Sequence, residues 1–379
     1  MIPLFCLVIL SVFFVISVFN LVFAPRLHQA PLQAAAPLPG VSILIPARNE
    51  EHHIERLLKS LLASRFVPLE ILVLDDQSTD HTSRIARTVL QNSSIPHRIL
   101  SGRPWTPGCG LTGKNHACAQ LSEAASGEVL LFCDADVAVS PHAVERTLSW
   151  LLESQCSGVS AFPRQIACGP AERRVLPWVT QLPAFWTLPL RLLPRIPFAS
   201  MQFANGQWLC VWRKAYLDAG GHAGLGSEVL EDVVLARKLV GSGKRGILPV
   251  LAPRDLEVRM YDSWSGLVEG FSKNLIRIFG GSKRFFIPLM LSLNFALTFP
   301  LWAWPFRGAL AAASAALILC IHLFSLLLME RSWRELPGRI AGLRDLNILA
   351  VQALVTDLAG TAVWKGRLTG RQGGPHGKV

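Results

Sequence analysis

Val129-Leu130-Leu131-Phe132-Cys133, followed directly by Asp134-Ala135-Asp136, is the stretch of this sequence that decides its fold. The apolar run lies between a loop at 126–128 and a polar turn, which is the pattern of a strand buried on both faces. Two carboxylates at i and i+2 of an extended chain point the same way, about 7 Å apart. Because like charges beside a core repel each other, the pair predicts a bound divalent cation with oxygen ligands. A solvated Asp-x-Asp turn is the alternative interpretation.

The composition indicates a membrane-associated protein. Of the 379 residues, 51% are hydrophobic and only 17% are charged, while the net charge is +11. So apolar a chain is unusual for a soluble domain, and its positive charge suits an anionic membrane surface or an anionic substrate. No run of lysines and arginines stands beside interleaved aromatic residues, so we expect no nucleic-acid partner.

Three apolar runs have the length of membrane-spanning helices, at 2–24, 285–304 and 308–328. A cleaved signal peptide is the alternative for the first run, but that run lacks a positively charged start. Basic residues flank the runs on the side of the globular region, which places that region in the cytoplasm. The chain thus divides into five segments: a transmembrane anchor at 1–25, a linker at 26–40, a globular domain at 41–280, a transmembrane hairpin at 281–330 and a cytoplasmic or interfacial segment at 331–379.

Strands and helices alternate through the globular segment. Strands are predicted at 41–45, 69–74, 97–100 and 129–133, and they are separated by stretches whose apolar residues recur at helical spacing. This alternation predicts an α/β fold with a Rossmann-like, mostly parallel sheet. Three of the strands end in clusters of Asp, Asn and Glu. Because ligands bind at the carboxyl ends of such strands, we expect the clusters to converge on one crevice.

Several short motifs together resemble the family 2 glycosyltransferases with the GT-A fold, and in particular the membrane-bound branch that glycosylates isoprenoid lipids such as carotenoids and chlorobactene. The resemblance covers nearly the whole chain, and the order and spacing of the motifs are more specific than any one of them. The motifs are Val41 to Asn49, Asp75-Asp76-Gln-Ser-Thr-Asp80, Gly113-Lys114, Asp134-Ala-Asp136, Asn205-Gly206-Gln207, Tyr216, Gly220-Gly221-His222, Glu231-Asp232, Arg259-Met-Tyr261, Gly270 to Asn274 and Trp364-Lys-Gly-Arg367.

The resemblance implies a site for a UDP-sugar and a divalent metal, Mg²⁺ or Mn²⁺. Asp136 would bind the metal, which acts as a Lewis acid on the leaving diphosphate. A turn-forming aspartate pair and an ordinary surface lysine are the alternatives for Asp75-Asp76 and Lys114. The residues implied in nucleotide-sugar binding are Ala47, Arg48, Asn49, Glu50, Asp75 or Asp76, Lys114 and Asp134.

The resemblance also implies a general base in the Glu231-Asp232 pair, and we favour Asp232. A carboxylate there would take the proton of the acceptor hydroxyl as it attacks the anomeric carbon; a purely helix-capping role for the pair is the alternative. The processive relatives carry a Gln-x-x-Arg-Trp motif that is absent here, so we expect a single sugar transfer. The residues expected on the acceptor side are Asn205, His222, Arg259, Tyr261 and Lys273, of which His222 could equally be structural.

Two segments outside the motifs have an expected place at the membrane. Residues 172–200 interleave tryptophans with arginines, which suits an interfacial segment that admits a lipid; packing against the catalytic core is the alternative. Residues 348–364 favour a re-entrant or surface helix. The sequence therefore predicts a cytoplasmic-facing, inverting enzyme that moves a hexose, with glucose expected, from a UDP-sugar to an isoprenoid lipid such as a carotenoid. A polyprenyl phosphate, hopanoid or glycerolipid acceptor, or a non-catalytic scaffold, are the alternatives.

Overall fold

The computed structural model describes most of the chain. The described residues are 2–32, 38–66, 69–106, 109–167, 169–240, 245–272, 274–279, 281–303, 308–359, 363–364 and 367–368. They form an α/β domain that is joined on one side to a set of long apolar helices.

Eight strands form the central sheet, in the order β3-β2-β1-β4-β7-β6-β8-β5. Two further short strands pair near the C-terminus. The strands are β1 (Val41–Ala47), β2 (Glu70–Asp75), β3 (His97–Ser101), β4 (Val129–Cys133), β5 (Val137–Val139), β6 (Cys156–Gln165), β7 (Trp208–Trp212), β8 (Arg245–Val258), β9 (Val363–Trp364) and β10 (Arg367–Leu368).

Thirteen α-helices are found in the described residues. They are α1 (Ile2–Phe23), α2 (Ile54–Leu62), α3 (Thr82–Leu90), α4 (Gly113–Ala124), α5 (Ala143–Ser154), α6 (Pro170–Thr180), α7 (Arg213–Asp218), α8 (Glu231–Val240), α9 (Trp264–Ser272), α10 (Leu275–Ile278), α11 (Lys283–Ala303), α12 (Ala309–Leu328) and α13 (Leu336–Ala359).

The strand β4 lies in the middle of the sheet and is buried on both faces, as its sequence predicts. Val129, Leu131 and Cys133 pack into the hydrophobic cluster on one face, and Leu130 and Phe132 pack into the cluster on the other. This division follows from the alternation of side chains along an extended chain. The position of β4 places the carboxylates that follow it at the carboxyl edge of the sheet.

The sheet is parallel in its N-terminal half and mixed in the rest. The strand β1 is parallel to both β2 and β4, and β2 is parallel to β3. β7 then pairs antiparallel with both β4 and β6, and β5 pairs antiparallel with β8, while β6 and β8 are parallel. The predicted α/β alternation therefore describes the half that contains β1 to β4, and the antiparallel β7 brings the loop before it, at 203–207, to the same edge.

Three helices in the described residues are long and apolar enough to cross a membrane: α1, α11 and α12. They correspond to the three apolar runs of the sequence. One face of α1 exposes Leu4, Val8, Val12 and Val15, as lipid-facing side chains would. Its Asn20 is fully buried and its Nδ2 donates to the carbonyl oxygens of residues 185 and 188, which ties the anchor to the segment that follows α6.

The segment at 172–200 packs inside the protein more than its sequence suggests. It contains most of α6, a single π-helical turn at Leu182–Trp186 and short 3-10 turns. Trp178 and Trp186, expected at an interface, are 2% and 3% exposed, because they pack edge-on against His322 of α12. Phe198 at 64% exposure remains available to a membrane surface. The two tryptophans are therefore covered by a helix that is a candidate membrane span, and not by the α/β domain.

The C-terminal helix α13 starts well before the apolar stretch from which we predicted a helix at 348–364. It begins at Leu336 and runs to Ala359, and it packs against α6 and α9. Arg339 and Asp345 are buried on its inner side, where Asp345 Oδ2 accepts from Arg174 Nε at 2.7 Å. The helix α13 therefore carries a buried acidic side chain that pairs with a basic side chain of α6.

We expect the protein to remain in the membrane fraction after an alkaline wash, because α1, α11 and α12 would have to leave the bilayer to be released. For orientation, the exposed Cys109 offers a reporter. A membrane-impermeant maleimide should label it in opened or inverted vesicles and not in intact cells, with Cys109→Ser as the control. Labelling in intact cells would reverse the predicted cytoplasmic orientation.

Candidate active site

A polar crevice of about 540 Å³ lies at the carboxyl ends of β1, β2 and β4. The three acidic and amide clusters that follow these strands contribute to it, as the sequence predicts. Its volume is in the range of small-molecule binding sites. The predicted site residues that line it are Ala47, Arg48, Asn49, Glu50, Asp76, Lys114, Asp134, Asp136, Glu231 and Tyr261.

The loops after β1 and β2 hold each other at one end of the crevice. Arg48 Nη1 donates to the carbonyl oxygens of Asp76 and Gln77 at 2.7 and 3.0 Å. Asn49 has a positive φ of 52°, and its Oδ1 accepts from the backbone N–H of Thr79 at 2.9 Å. These contacts fix the backbones of the two loops relative to each other at this end of the crevice.

The two aspartates after β2 have different surroundings. Asp76 is 1% exposed and lines the crevice. Asp75 Oδ1 instead accepts from the backbone N–H of Ser78 at 3.0 Å, and Asp75 is absent from the lining. Of the two predicted alternatives the geometry therefore favours Asp76 as the residue that faces the crevice, and Asp75 takes the turn-forming role because its carboxylate accepts from the backbone N–H three residues on.

Lys114, at the start of α4, lies between two carboxylates. Its Nζ lies 3.0 Å from Asp134 Oδ1 and 2.9 Å from Glu231 Oε1. Burial alone would lower the pKa of Lys114, but Asp134 and Glu231 raise it well above its ordinary value. The lysine is therefore charged, and it joins the end of β4 to the start of α8.

Glu231 and Asp232 are neighbours in the chain but face different cavities. Glu231 lines the polar crevice, where it pairs with Lys114. Asp232 lines a second cavity, and its two oxygens accept from the backbone N–H groups of Gly206 and Val233, both at 2.8 Å. Burial, with the nearby charge of Glu231, raises the pKa of Asp232 to about 7. A carboxyl with this pKa can exchange a proton at neutral pH.

The second cavity is an apolar pocket of about 170 Å³, walled by segments that are far apart in sequence. Gln207 and Met260 line both cavities, so the pocket adjoins the polar crevice. Among the described residues that line the pocket, Asp232 is the one charged side chain. Its main apolar walls are Phe162, Phe185, Phe203, Leu230, Phe271 and Ile278.

Residues 42–204 match the family described as Glycosyl transferase family 2. This match covers β1, β2 and β4 and the loops that follow them at the polar crevice. Residues 42–204 are thus similar to a glycosyl transferase family 2 domain. The resemblance identified from the motifs is thereby confirmed.

Relatives of known name extend the likeness beyond this domain. The chain is 28% identical over 248 residues to a 4,4'-diaponeurosporenoate glycosyltransferase of Staphylococcus haemolyticus, covering 62% of this chain and 61% of the relative. It is 29% identical over 254 residues to the protein of the same name from Staphylococcus aureus, covering 64% and 63%. The alignments thus span less than two thirds of these relatives.

A solved structure shares the fold. It is the mannosyltransferase PcManGT from Pyrobaculum calidifontis, in complex with GDP-Man and Mn²⁺. The two structures superpose with a TM-score of 0.54 at 17% identity, and the match covers 94% of this chain and 99% of the other. The GT-A fold predicted from the sequence is confirmed.

The residues expected on the acceptor side do not all lie in the same cavity. Asn205 lines the apolar pocket, and its Nδ2 donates to Gln207 Oε1 at 3.2 Å. Tyr261 lines the polar crevice instead, where Gly270 of α9 leaves room for its ring because a Cβ there would overlap it. Lys273 lies outside the described residues.

Two other residues of that group lie outside both linings. Arg259 Nε pairs with Asp262 Oδ1 at 2.9 Å on the surface. His222 is 3% exposed, and its Nδ1 lies 2.9 Å from the hydroxyl of Tyr216, while its ring packs on Phe132. Burial lowers the pKa of His222 to about 3. We therefore correct the acceptor-side prediction for His222 in favour of its structural alternative, because a neutral imidazole packed in this way supports β4.

Sequence reasoning did not assign two residues that the structure places at the junction of the cavities, Gln207 and Met260. Gln207 occurs in the quoted Asn205-Gly206-Gln207 motif, but its side chain received no role. It accepts from Gln165 Nε2 at 2.9 Å. Met260 occurs between Arg259 and Tyr261 and was likewise overlooked. The motif itself was the available signal for Gln207, whereas an isolated methionine carries none.

Proposed function

We propose that this protein transfers a single hexose, with glucose expected, from a UDP-sugar to an isoprenoid lipid in the membrane, such as a carotenoid. The supporting observation is that two adjacent residues line different cavities. Glu231 belongs to a charged crevice suited to a nucleotide, and Asp232 belongs to an apolar pocket suited to a lipid. The anomeric carbon would lie where the cavities meet, beside Gln207 and Met260.

The donor would occupy the polar crevice. Asp76 would accept hydrogen bonds from the base or ribose, since a carboxylate is an acceptor only, and Arg48 keeps the two loops in place. Asp134 would meet the ribose once the nucleotide competes for its contact with Lys114. The lysine would then turn its charge toward the diphosphate, which carries the negative charge of the leaving group.

A divalent ion fits the acidic end of the crevice. Asp136 lines the crevice two residues after Asp134. No group of three or more His, Cys, Asp or Glu side chains in the described part of the chain could hold a metal on its own. One or two carboxylates together with substrate phosphates and water are a usual set for Mg²⁺. Asp136 would hold Mg²⁺ or Mn²⁺, which would supply Lewis-acid stabilisation of the departing UDP.

Support for a lipid acceptor comes from the apolar pocket and from its surroundings. Phe185 and Gln181, from the segment at 172–200, form part of its wall. This segment also packs against the helices long enough to span the membrane. The names of the relatives describe glycosyl transfer to 4,4'-diaponeurosporenoate. An isoprenoid lipid that ends in a hydroxyl group would enter from the bilayer side and bring that hydroxyl to Asp232.

The proposed reaction is a direct displacement with inversion. Asp232 would take the proton from the acceptor hydroxyl while the acceptor oxygen forms a bond to the anomeric carbon. The bond between that carbon and the UDP oxygen breaks on the opposite face, and Lys114 meets the developing charge. The backbone N–H groups of Gly206 and Val233 orient the carboxylate of Asp232 for this step.

Mass spectrometry of lipid extracts tests the proposal. Cells that carry the gene should contain an isoprenoid lipid heavier by one hexose, and this species should be missing from cells without the gene. Cells that carry the Asp232→Asn gene serve as a matched control with the same protein present. A hexosylated lipid that persists without the gene, or gene-dependent hexosylation of a polyprenyl phosphate or glycerolipid instead, would contradict the proposed acceptor.

A further inference from the structure

A crevice with four arginines lies next to the apolar pocket and just beyond the end of α12. It is small, about 30 Å³, and we call it the arginine crevice; its arginines are Arg164, Arg173, Arg331 and Arg339. It shares Gln165, Thr180, Gln181 and Met329 with the wall of the apolar pocket. Because α12 is a candidate span that ends at Leu328, the crevice lies at the depth of lipid headgroups.

The arginine crevice carries an excess of positive charge. Among the described residues that line it, Glu335 is the one acid, and Arg331 Nη2 pairs with its Oε1 at 3.0 Å. Arg164 pairs with Glu257, which lies outside the crevice. Arg173 is exposed on the first turn of α6. The remaining charges are therefore available to an anion.

The surroundings of Arg339 are a second indication, after the excess of positive charge, that the arginine crevice binds an anion. It is 2% exposed, and its Nη1 donates to Gln181 Oε1 at 2.7 Å and to Ser325 Oγ at 2.9 Å, both neutral groups. Its Nε has no hydrogen-bond acceptor within the part of the chain described. Burial lowers the pKa of the guanidinium to about 10, so it is still charged at neutral pH. A buried charge whose hydrogen-bond partners are all neutral is costly, and the nearby acid that offsets this cost in part, Glu335, also pairs with Arg331.

We propose that the arginine crevice binds the phosphate of an anionic phospholipid headgroup from the surrounding bilayer. Guanidinium groups match phosphate oxygens in pairs, which favours phosphate over other anions. The position at the end of a membrane helix favours a lipid over a soluble phosphate. A bound headgroup would hold α6, α12 and α13 together at the rim of the apolar pocket. The proposal concerns lipid binding only, so its failure would leave the proposed glycosyl transfer standing.

Native mass spectrometry of the full-length protein in a non-ionic detergent tests this site. Phosphatidylglycerol and phosphatidylcholine are titrated separately, and the bound lipid per chain is counted. We expect phosphatidylglycerol to bind more tightly than phosphatidylcholine. A basic residue near an anionic surface is worth about fivefold in affinity. Arg173→Gln should therefore weaken phosphatidylglycerol binding about fivefold, and Arg173→Gln with Arg331→Gln about 25-fold, with phosphatidylcholine unchanged.

Arg87→Gln is the matched control, since Arg87 is exposed on α3 at the far side of the α/β domain. It removes the same charge and should leave both affinities unchanged. Arg173→Gln alone keeps the pair between Arg331 and Glu335, so a loss of binding there cannot come from breaking that contact.

Three results would overturn the proposal. The first is equal affinity for the two phospholipids in the wild-type protein. The second is an equal loss of phosphatidylglycerol binding in Arg87→Gln. The third is displacement of phosphatidylglycerol by a polyprenyl phosphate or by inorganic phosphate at equal or lower concentration, since the crevice would then serve an acceptor phosphate or a soluble anion.

Discussion

Asp232→Asn should lower kcat by roughly 10²–10⁴, the usual contribution of a positioned general base. The substitution removes the basic group while leaving the polar crevice, which Asp232 does not line, unchanged. UDP binding, measured by calorimetry, should therefore stay close to that of the wild-type protein. The amide can accept from only one of the two backbone N–H groups at Gly206 and Val233, so the melting temperature is measured alongside to exclude unfolding.

Glu231→Gln is the comparison within the pair, and we expect a different signature from it. Glu231 faces the donor side and pairs with Lys114, so its loss should weaken UDP-sugar binding more than it lowers kcat. A collapse of kcat in Glu231→Gln with near wild-type turnover in Asp232→Asn would reverse our assignment. If both variants stay active, the base lies elsewhere, or the acceptor attacks through an already ionised carboxylate that needs no base.

The pH dependence of kcat/KM is an independent test of the role of Asp232. Burial raises the pKa of Asp232 to about 7, and a base works only in its deprotonated form. In the wild-type protein, kcat/KM should therefore rise with pH up to about 7 and fall about tenfold for each unit below it, since this parameter reports the free enzyme. The residual activity of Asp232→Asn should lack this limb. A limb of the same midpoint in the variant would exclude Asp232 as its source.

Asp136→Asn should abolish sugar transfer, and an excess of a metal chelator should do the same to the wild-type protein. The physical reason is that the departing UDP carries negative charge that a divalent ion neutralises, and Asp136 is the crevice carboxylate that we propose as its protein ligand. A second readout does not need turnover. Mn²⁺ should strengthen UDP binding in the wild-type protein and have little effect on UDP binding in Asp136→Asn.

Asp218→Asn provides the control for the metal prediction. Asp218 is exposed at the end of α7 and lies outside the crevice lining, so its replacement should leave both turnover and the effect of Mn²⁺ unchanged. Undiminished turnover of the wild-type protein in excess chelator would rule out the metal role. Loss of the folded state in Asp136→Asn, seen as a lower melting temperature, would show that the carboxylate acts on stability instead.

The elements that could be predicted from sequence are those whose signal is local. The burial of a strand such as β4 can be predicted from its own residues, because consecutive apolar side chains must be covered on both faces of the sheet. The polar clusters after β1, β2 and β4 meet because parallel neighbouring strands end at the same edge. The membrane helices follow from run length alone. The predicted residues that line the polar crevice could therefore be identified almost one by one, apart from the choice between Asp75 and Asp76.

The acceptor side was decided by the tertiary structure. The walls of the apolar pocket come from β6, from the segment after α6, from α9 and from the loop before β7, and no periodicity links them. The packing around α8 decides that Glu231 and Asp232 face different cavities. Neighbouring side chains at the start of a helix point about 100° apart, so the sequence does not show which cavity each of them will face. Packing also decided the positions of Trp178 and His222. The sequence around a tryptophan or a histidine does not show whether its side chain will contact membrane, substrate or another ring.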